Sequence, residues 1–136
     1  MPKQIFINLP VHTLEHSINF FSRLGFKFNQ AFTDEQSTCM IIEENIFVML
    51  LEEQKFKTYT PKKICNAKKQ TEVLLALSVS SREAVNQMVE KAIESGGKEP
   101  RKAQDHGFMY GRSFEDLDGH IWEVFYMDSN KNIQDN

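Results

Sequence analysis

The stretch EDLDGHIWEVFYMD, residues 115–128, decides the fold of this chain. DLDG, at 116–119, has the composition of a tight turn. The residues that follow are the apolar and aromatic side chains of a strand, and one carboxylate, Glu123, interrupts them. A carboxylate on an apolar strand is costly unless it is paired, hydrogen-bonded or bound to a cation. The partner of Glu123 is therefore the first question that the sequence raises.

Composition and charge indicate one folded domain without a nucleic-acid or membrane partner. The 136 residues are 40% hydrophobic, which is enough for a core, and 16 basic residues against 19 acidic ones give a net charge of -3. The basic runs PKK and AKKQ, within residues 61–70, resemble a solvated loop rather than the clustered basic face of a nucleic-acid binder. Neither a signal-peptide core nor an apolar run of about 18 residues is present. We expect a cytoplasmic protein with free thiols and without nucleic-acid or membrane partners.

The pattern of apolar residues predicts the same supersecondary unit twice. A strand, a helix and three strands are expected in the first half, at 4–11, 14–24, 26–32, 37–43 and 46–51. The second half repeats this order, at 72–79, 81–95, 98–104, 108–116 and 120–127. Val11 and Val79, each at the end of the first strand of its half, are 68 residues apart. The sequence thus predicts two βαβββ modules, about 1–51 and 71–128, in one domain of residues 1–128.

Two segments fall outside this repeat. Residues 52–70 lack regular periodicity, and we interpret them as a linker between the modules that could also act as a lid. Residues 129–136, SNKNIQDN, form a polar tail that is predicted to be disordered.

Three stretches together resemble the vicinal oxygen chelate superfamily, which includes glyoxalases, bleomycin-resistance proteins and extradiol dioxygenases. They are NLPVHTLEHSINFFSRLGF, LALSVSSREAVNQMVEKAIESGGK and FEDLDGHIWEVF, and in the last of them Leu117 replaces the proline that is usual in the family. The resemblance implies an α+β fold in which two tandem βαβββ modules form a cup-shaped mixed sheet. It also implies a homodimer.

The resemblance assigns four strand positions to the divalent metal of the metal-using members. These positions are Phe6, Met49, Leu74 and Glu123. Phe and Leu cannot coordinate a cation, and Met is a poor ligand for a hard one. We therefore expect no catalytic metal at the usual place and no other cofactor. A shifted site stays open in principle, although the four histidines, His12, His16, His106 and His120, show no recognisable ligand spacing.

If Glu123 lines the cup, as the resemblance implies, period-two alternation places Ile121 and Phe125 on the same face. The predicted ligand-binding side chains are mostly apolar, with a few polar groups, as is typical of a small-molecule pocket. They are Phe6, Asn8, Met49, Leu74, Ser78, Tyr110, Arg112 and Phe125. Tyr110 and Arg112 could meet an anionic ligand, or Arg112 could be an exposed basic residue on a strand. Glu123 is either an inert hydrogen-bonded carboxylate or a catalytic group, as ligand acceptor or general base.

Three functions follow from these observations. The first is a metal-independent protein that binds a small, partly apolar molecule in the cup. The second is a metal-dependent lyase or dioxygenase of the glyoxalase or extradiol type, which the absent ligands argue against. The third is a structural or regulatory role through dimerisation.

Overall fold

The computed structural model describes residues 2–128, which divide into two compact units between Asn66 and Ala67. Each unit has the order strand, helix, strand, strand, strand, so the prediction of an α+β fold with two tandem βαβββ modules is confirmed. The predicted polar tail, 129–136, lies outside the described residues. Within the described range, no helix is long and apolar enough to span a membrane.

The first unit is a four-stranded mixed sheet with one long helix. Its elements are β1 (Ile5–Val11), α1 (Leu14–Arg23), β2 (Lys27–Asn29), β3 (Ser37–Glu43) and β4 (Ile46–Glu52). The strand order is β1-β4-β3-β2, with β1 parallel to β4 and the other pairs antiparallel. Thr13 precedes α1 without a side-chain cap, and the carboxylate of Glu52 instead accepts the Leu14 N–H at 2.9 Å. A carboxylate at a helix N-terminus satisfies a free amide and complements the helix dipole.

The second unit repeats this topology. Its elements are β5 (Leu74–Ser78), α3 (Arg82–Glu94), β6 (Gln104–Asp105), β7 (Met109–Glu115) and β8 (Ile121–Met127). The order is β5-β8-β7-β6, with β5 parallel to β8. The Ser81 hydroxyl caps α3 by accepting the Ala84 N–H at 3.0 Å. The core of this unit combines one face of α3 with one face of the sheet, through Val85, Val89, Ala92, Phe114, Trp122 and Val124.

Burial alternates along the strands as the period-two pattern predicts. On β8, Trp122 and Val124 are buried, whereas Glu123 between them is partly exposed. On β5, Leu75 is buried between Leu74 and Ala76, which are exposed. We name the two faces of the second sheet accordingly. The helix face packs on α3, and the open face carries Leu74, Ala76, Ser78, Ile121, Glu123 and Phe125.

The predicted strand at 98–104 is wrong. The structure has an isolated bridge between Lys98 and Glu115, and regular pairing resumes only where Gln104 meets Gly111. Between these two points five residues, 99–103, lie opposite three residues, 112–114, so the longer segment bulges away from β7. Pro100, inside the bulge, has no N–H to offer to a ladder. We call residues 99–103 the edge bulge.

Two other segments also differ from the sequence-based expectation. The strand predicted at 26–32 ends at Asn29, because the side chain of Asn29 accepts the Ala31 N–H at 2.9 Å and starts a 3₁₀ turn. Residues 52–70, predicted as an irregular linker, contain a short helix, α2 (Glu53–Phe56), followed by a 3₁₀ turn, Lys57–Tyr59.

Candidate functional site

Glu123 has a partner that the sequence did not reveal. Its carboxylate oxygen Oε1 lies 2.5 Å from Nη2 of Arg101, a residue of the edge bulge. The Glu123 side chain is 20% exposed and that of Arg101 is 51% exposed. The carboxylate on the apolar strand is therefore neutralised by a guanidinium from the same unit. No sequence signal links positions 101 and 123, since residue 101 falls in a stretch that reads as an ordinary strand.

The edge bulge is what brings Arg101 to the open face. Residues two apart on a regular strand project to the same side of a sheet. Here Glu99 pairs with Arg112, which lies on the helix face, whereas Arg101 pairs with Glu123 on the open face. Because β7 lies between β6 and β8 in the sheet, the Arg101 side chain must cross β7 to reach β8. The two extra residues of the bulge permit this change of side.

Small residues surround the point where Arg101 meets Glu123. Ala76 on β5 and Ser113 on β7 are the direct neighbours of Glu123 in the two ladders, and both share its face. Gly111, one step along β7 on the same face, has no side chain. Ser113 is fully buried, and its hydroxyl has no hydrogen-bond partner among the described residues. A buried hydroxyl without a partner is rare in native proteins.

An open depression of about 540 Å³ adjoins the edge bulge. Its lining mixes charged and apolar side chains: Glu99, Arg101, Lys102, Ala103, Tyr110 and Arg112. Three of these residues are cationic and one is anionic. Two of these cations are paired, Arg101 with Glu123 and Arg112 with Glu99, which leaves Lys102 without a carboxylate partner within residues 2–128.

Tyr110 and Arg112 lie on the other face of the sheet from Glu123. Their ladder partners are Tyr126 and Val124, which belong to the helix face. The structure therefore does not place these two predicted ligand-binding residues beside Glu123. They reach the depression from the helix side, at the edge of the sheet.

Protein neighbours occupy the polar groups of Tyr110 and Arg112. Arg112 donates to both carboxylate oxygens of Glu99, at 2.9 and 3.0 Å, and it also contacts Glu90 at 2.9 Å. Asn86 Oδ1 accepts from Arg112 at 3.0 Å and from the Tyr110 hydroxyl at 2.7 Å. These bonds raise the pKa of Arg112, and its guanidinium lowers the pKa of Glu99. The network joins α3 to β7.

The other predicted residues are divided between the two units. Leu74, Ser78 and Phe125 lie on the open face of the second sheet, and Leu74 is 59% exposed. In the first unit, Phe6 is 45% exposed and stacks on Phe47 with 4.8 Å between ring centroids.

Asn8 and Met49 are ladder partners in that first sheet. Asn8 is exposed, and its side-chain amide donates to the Phe6 carbonyl at 3.1 Å. Met49 is half-buried.

The residues present do not fit the divalent metal that the family resemblance implies. The one retained carboxylate, Glu123, is held by Arg101, and its ladder neighbours Ala76 and Ser113 do not form a metal-ligand set. Residues 2–128 contain no group of three His, Cys, Asp or Glu side chains that could hold a metal ion. No chemical step through a metal follows from this site.

Comparisons with known proteins agree on the fold. The family model described as Glyoxalase/Bleomycin resistance protein/Dioxygenase superfamily matches residues 3–124. The hypothetical protein SA1046 from S. aureus is 31% identical, with a TM-score of 0.78, over 93% of this chain and 94% of that chain. No curated protein matches the chain.

Two more distant structures share the fold alone. A glyoxalase-related enzyme from Fulvimarina pelagi is 20% identical, with a TM-score of 0.78, over 93% of this chain and 88% of that chain. The fosfomycin resistance protein FosX from Mesorhizobium loti is 11% identical, with a TM-score of 0.68, over 96% of this chain and 97% of that chain.

Proposed function

Because the chain belongs to the glyoxalase/bleomycin resistance protein/dioxygenase superfamily, we propose that it binds a small, partly apolar molecule without a catalytic metal. The salt bridge between Glu123 and Arg101 carries this proposal. The carboxylate at the metal-ligand position already has a cation from the protein, and a metal ion would have to displace it. Metal-dependent lyase or dioxygenase chemistry is therefore disfavoured for this chain.

The open face of the second sheet has the composition that such a role needs. Leu74, Ile121 and Phe125 supply apolar surface around the polar pair of Glu123 and Arg101. Small-molecule sites are mostly apolar, with a few polar groups that orient the ligand. In this proposal Glu123 is a positioning residue that orients Arg101, rather than a general base. The homodimer and the cytoplasmic location stay predictions.

Metal dependence is the first test. Elemental analysis of the untagged protein is combined with thermal-shift titrations of Mn, Ni, Zn, Fe and Co ions, for the wild type and for Glu123→Gln. We expect no stoichiometric metal and no metal-dependent rise in Tm for either protein. A rise in the wild type that Glu123→Gln abolishes would overturn the proposal and restore the lyase or dioxygenase alternative.

Ligand binding is the second test, made in the presence of a chelator. A small-molecule library is screened by thermal shift against the wild type and Ala76→Trp, in which an indole would cover the exposed surface beside Glu123. Gln87→Trp, on an exposed position of α3, is the matched control. We expect compounds that stabilise the wild type and the control but not Ala76→Trp. Compounds that stabilise all three proteins equally would contradict the assignment to the open face.

A further inference from the structure

Two cations at the edge bulge have unused hydrogen-bonding capacity. A guanidinium has five N–H donors, and among residues 2–128 Arg101 directs one nitrogen at Glu123 and finds no second partner. Lys102, the next residue, lines the same depression, and its ammonium forms no ion pair in the described part of the chain. Both side chains are exposed. They can therefore accept a ligand without losing a bond to the protein.

The neighbouring arginines are different. Arg112 is enclosed by Glu99, Glu90 and Asn86, and its side chain is only 11% exposed. Arg82 forms a two-pronged pair with Asp105, at 2.9 and 3.0 Å. Among the cations that line the depression, Lys102 has no carboxylate partner within residues 2–128, and Arg101 keeps N–H donors free beside Glu123, although the chain as a whole has a net charge of -3.

Ser113 lies beside the pair of Glu123 and Arg101 but does not line the depression. It is directly opposite Glu123 in the β7–β8 ladder, and its buried hydroxyl lacks a partner within residues 2–128. Facing residues in a ladder have Cβ atoms about 5 Å apart, so this hydroxyl is near the carboxylate that holds Arg101. Because Ser113 is next to this pair but does not line the depression, its backbone amide can report on a ligand that binds Arg101.

We propose that the ligand of this site is a small organic acid whose carboxylate binds Arg101 and Lys102. The inference rests on the proposed function and adds the chemical class of the ligand. The planar guanidinium matches a carboxylate, and such charge-assisted bonds are the stronger ones. Ala103 and the ring of Tyr110, which line the same depression, offer apolar surface to the body of the acid.

Benzoate is the probe, with benzamide as its neutral analogue and benzylamine as its cationic one. Binding is followed by NMR titration of the backbone amides of Ser113 and Glu123, in the presence of a chelator. We expect benzoate to bind more tightly than the other two and to weaken as salt is added. Arg101→Ala should weaken benzoate binding about tenfold or more.

Further variants separate charge from geometry. Arg101→Lys keeps the charge but loses the planar fork, so its affinity for benzoate should lie between those of the wild type and Arg101→Ala. Lys102→Ala should weaken binding several-fold, whereas Lys91→Ala, an exposed lysine on α3, should not.

Failure of this inference can be told from failure of the proposed function. Equal affinities for benzoate and benzamide, no benzoate binding at all, or an unchanged affinity in Arg101→Ala would each refute the carboxylate assignment. A preference for benzylamine that Glu123→Gln abolishes would reverse the charge of the ligand. In these cases metal-free binding of a neutral or cationic compound would still support the proposed function. Benzoate binding that requires a divalent metal would instead refute the proposed function.

Discussion

The carboxylate of Asp116 accepts three hydrogen bonds in the turn that precedes β8. Oδ1 accepts the N–H groups of Asp118 and His120, both at 3.0 Å, and Oδ2 accepts the indole N–H of Trp122 at 3.0 Å. Burial raises the pKa of Asp116, against the opposing effects of His120 and of the Trp122 hydrogen bond. The turn that identified the fold in the sequence is thus held by its first aspartate. From the sequence, this residue was predicted only as part of the turn.

We predict that Asp116→Asn destabilises the protein by about 1–3 kcal/mol, because the amide has one acceptor oxygen and leaves a buried donor without its partner. Calorimetry measures this loss of stability as a decrease in Tm. Trp122→Phe removes the indole donor. In a Trp122→Phe protein, Asp116→Asn should therefore lower the free energy of unfolding by a smaller amount. Equal costs in the two backgrounds would show that the bond to the indole does not stabilise the fold.

Single residues also show what could be predicted at the site. The requirement that Glu123 has a partner followed from the energetic cost of a carboxylate among apolar neighbours. The identity of that partner did not, because Arg101 is 22 residues away in sequence and reaches Glu123 only through the edge bulge. The opposite orientation of Tyr110 and Arg112 was missed for a similar reason. The register that pairs them with Tyr126 and Val124 is a property of the sheet and cannot be read from one strand alone.

At the scale of elements, the turn before β8 packs closely on the chain that leads into the second unit. A Cβ atom added at Gly119 would lie 2.7 Å from the Lys68 nitrogen and 2.8 Å from the Ala67 carbonyl, and Gly119 has φ +92°. We predict that Gly119→Ala lowers the stability by both backbone strain and overlap. Gly107→Ala is the control, since φ there is +81° with no atom within 4 Å of the added Cβ. Chemical denaturation should show a loss that is larger for Gly119→Ala by about 1 kcal/mol or more.

Equal losses in the two glycine variants would mean that residues 67–68 move aside without cost. The contrast with Gly107 makes the result specific for the close approach, because both positions have positive φ.

Elements with a regular pattern were predicted to within a residue or two. The helices α1 and α3 and the strand β3 have periodic apolar residues, and their observed bounds, Leu14–Arg23, Arg82–Glu94 and Ser37–Glu43, agree with the expected ones. The edge bulge could not be predicted in this way. Its five residues oppose three residues of another strand, and such a mismatch appears only when the two strands are paired.

At the scale of the whole molecule, each unit has an exposed aspartate held by a basic side chain. In the first unit, Lys55 contacts Asp34 at 2.9 Å, and in the second, Arg82 contacts Asp105 at 2.9 Å. Hydrogen bonds from the Gln36 amide, Lys55 and Ser37 lower the pKa of Asp34 to about 2. The pKa of Asp105 is lowered to about 2 as well, chiefly by Arg82 and the Gly107 amide. The same electrostatic device thus occurs in both halves of the chain, at different places in the repeat.

These pKa values predict how stability depends on pH. An unfolded aspartate has a pKa of about 3.9. Between a pH of about 3.9 and a pH of about 2, the unfolded chain therefore binds more protons than the folded one. The contribution of each pair is complete above pH 4 or so and is lost as the pH falls towards 2. Because both aspartates are exposed, solvent screening keeps each contribution small. The Tm values of the wild type, Asp34→Asn and Asp105→Asn should therefore converge as the pH falls from about 5 to about 2. The control is Glu94→Gln, on the exposed end of α3, whose Tm should keep a constant difference from that of the wild type. If the Asn variants instead keep a constant difference from the wild type over this range, the ionised aspartates do not stabilise the folded chain.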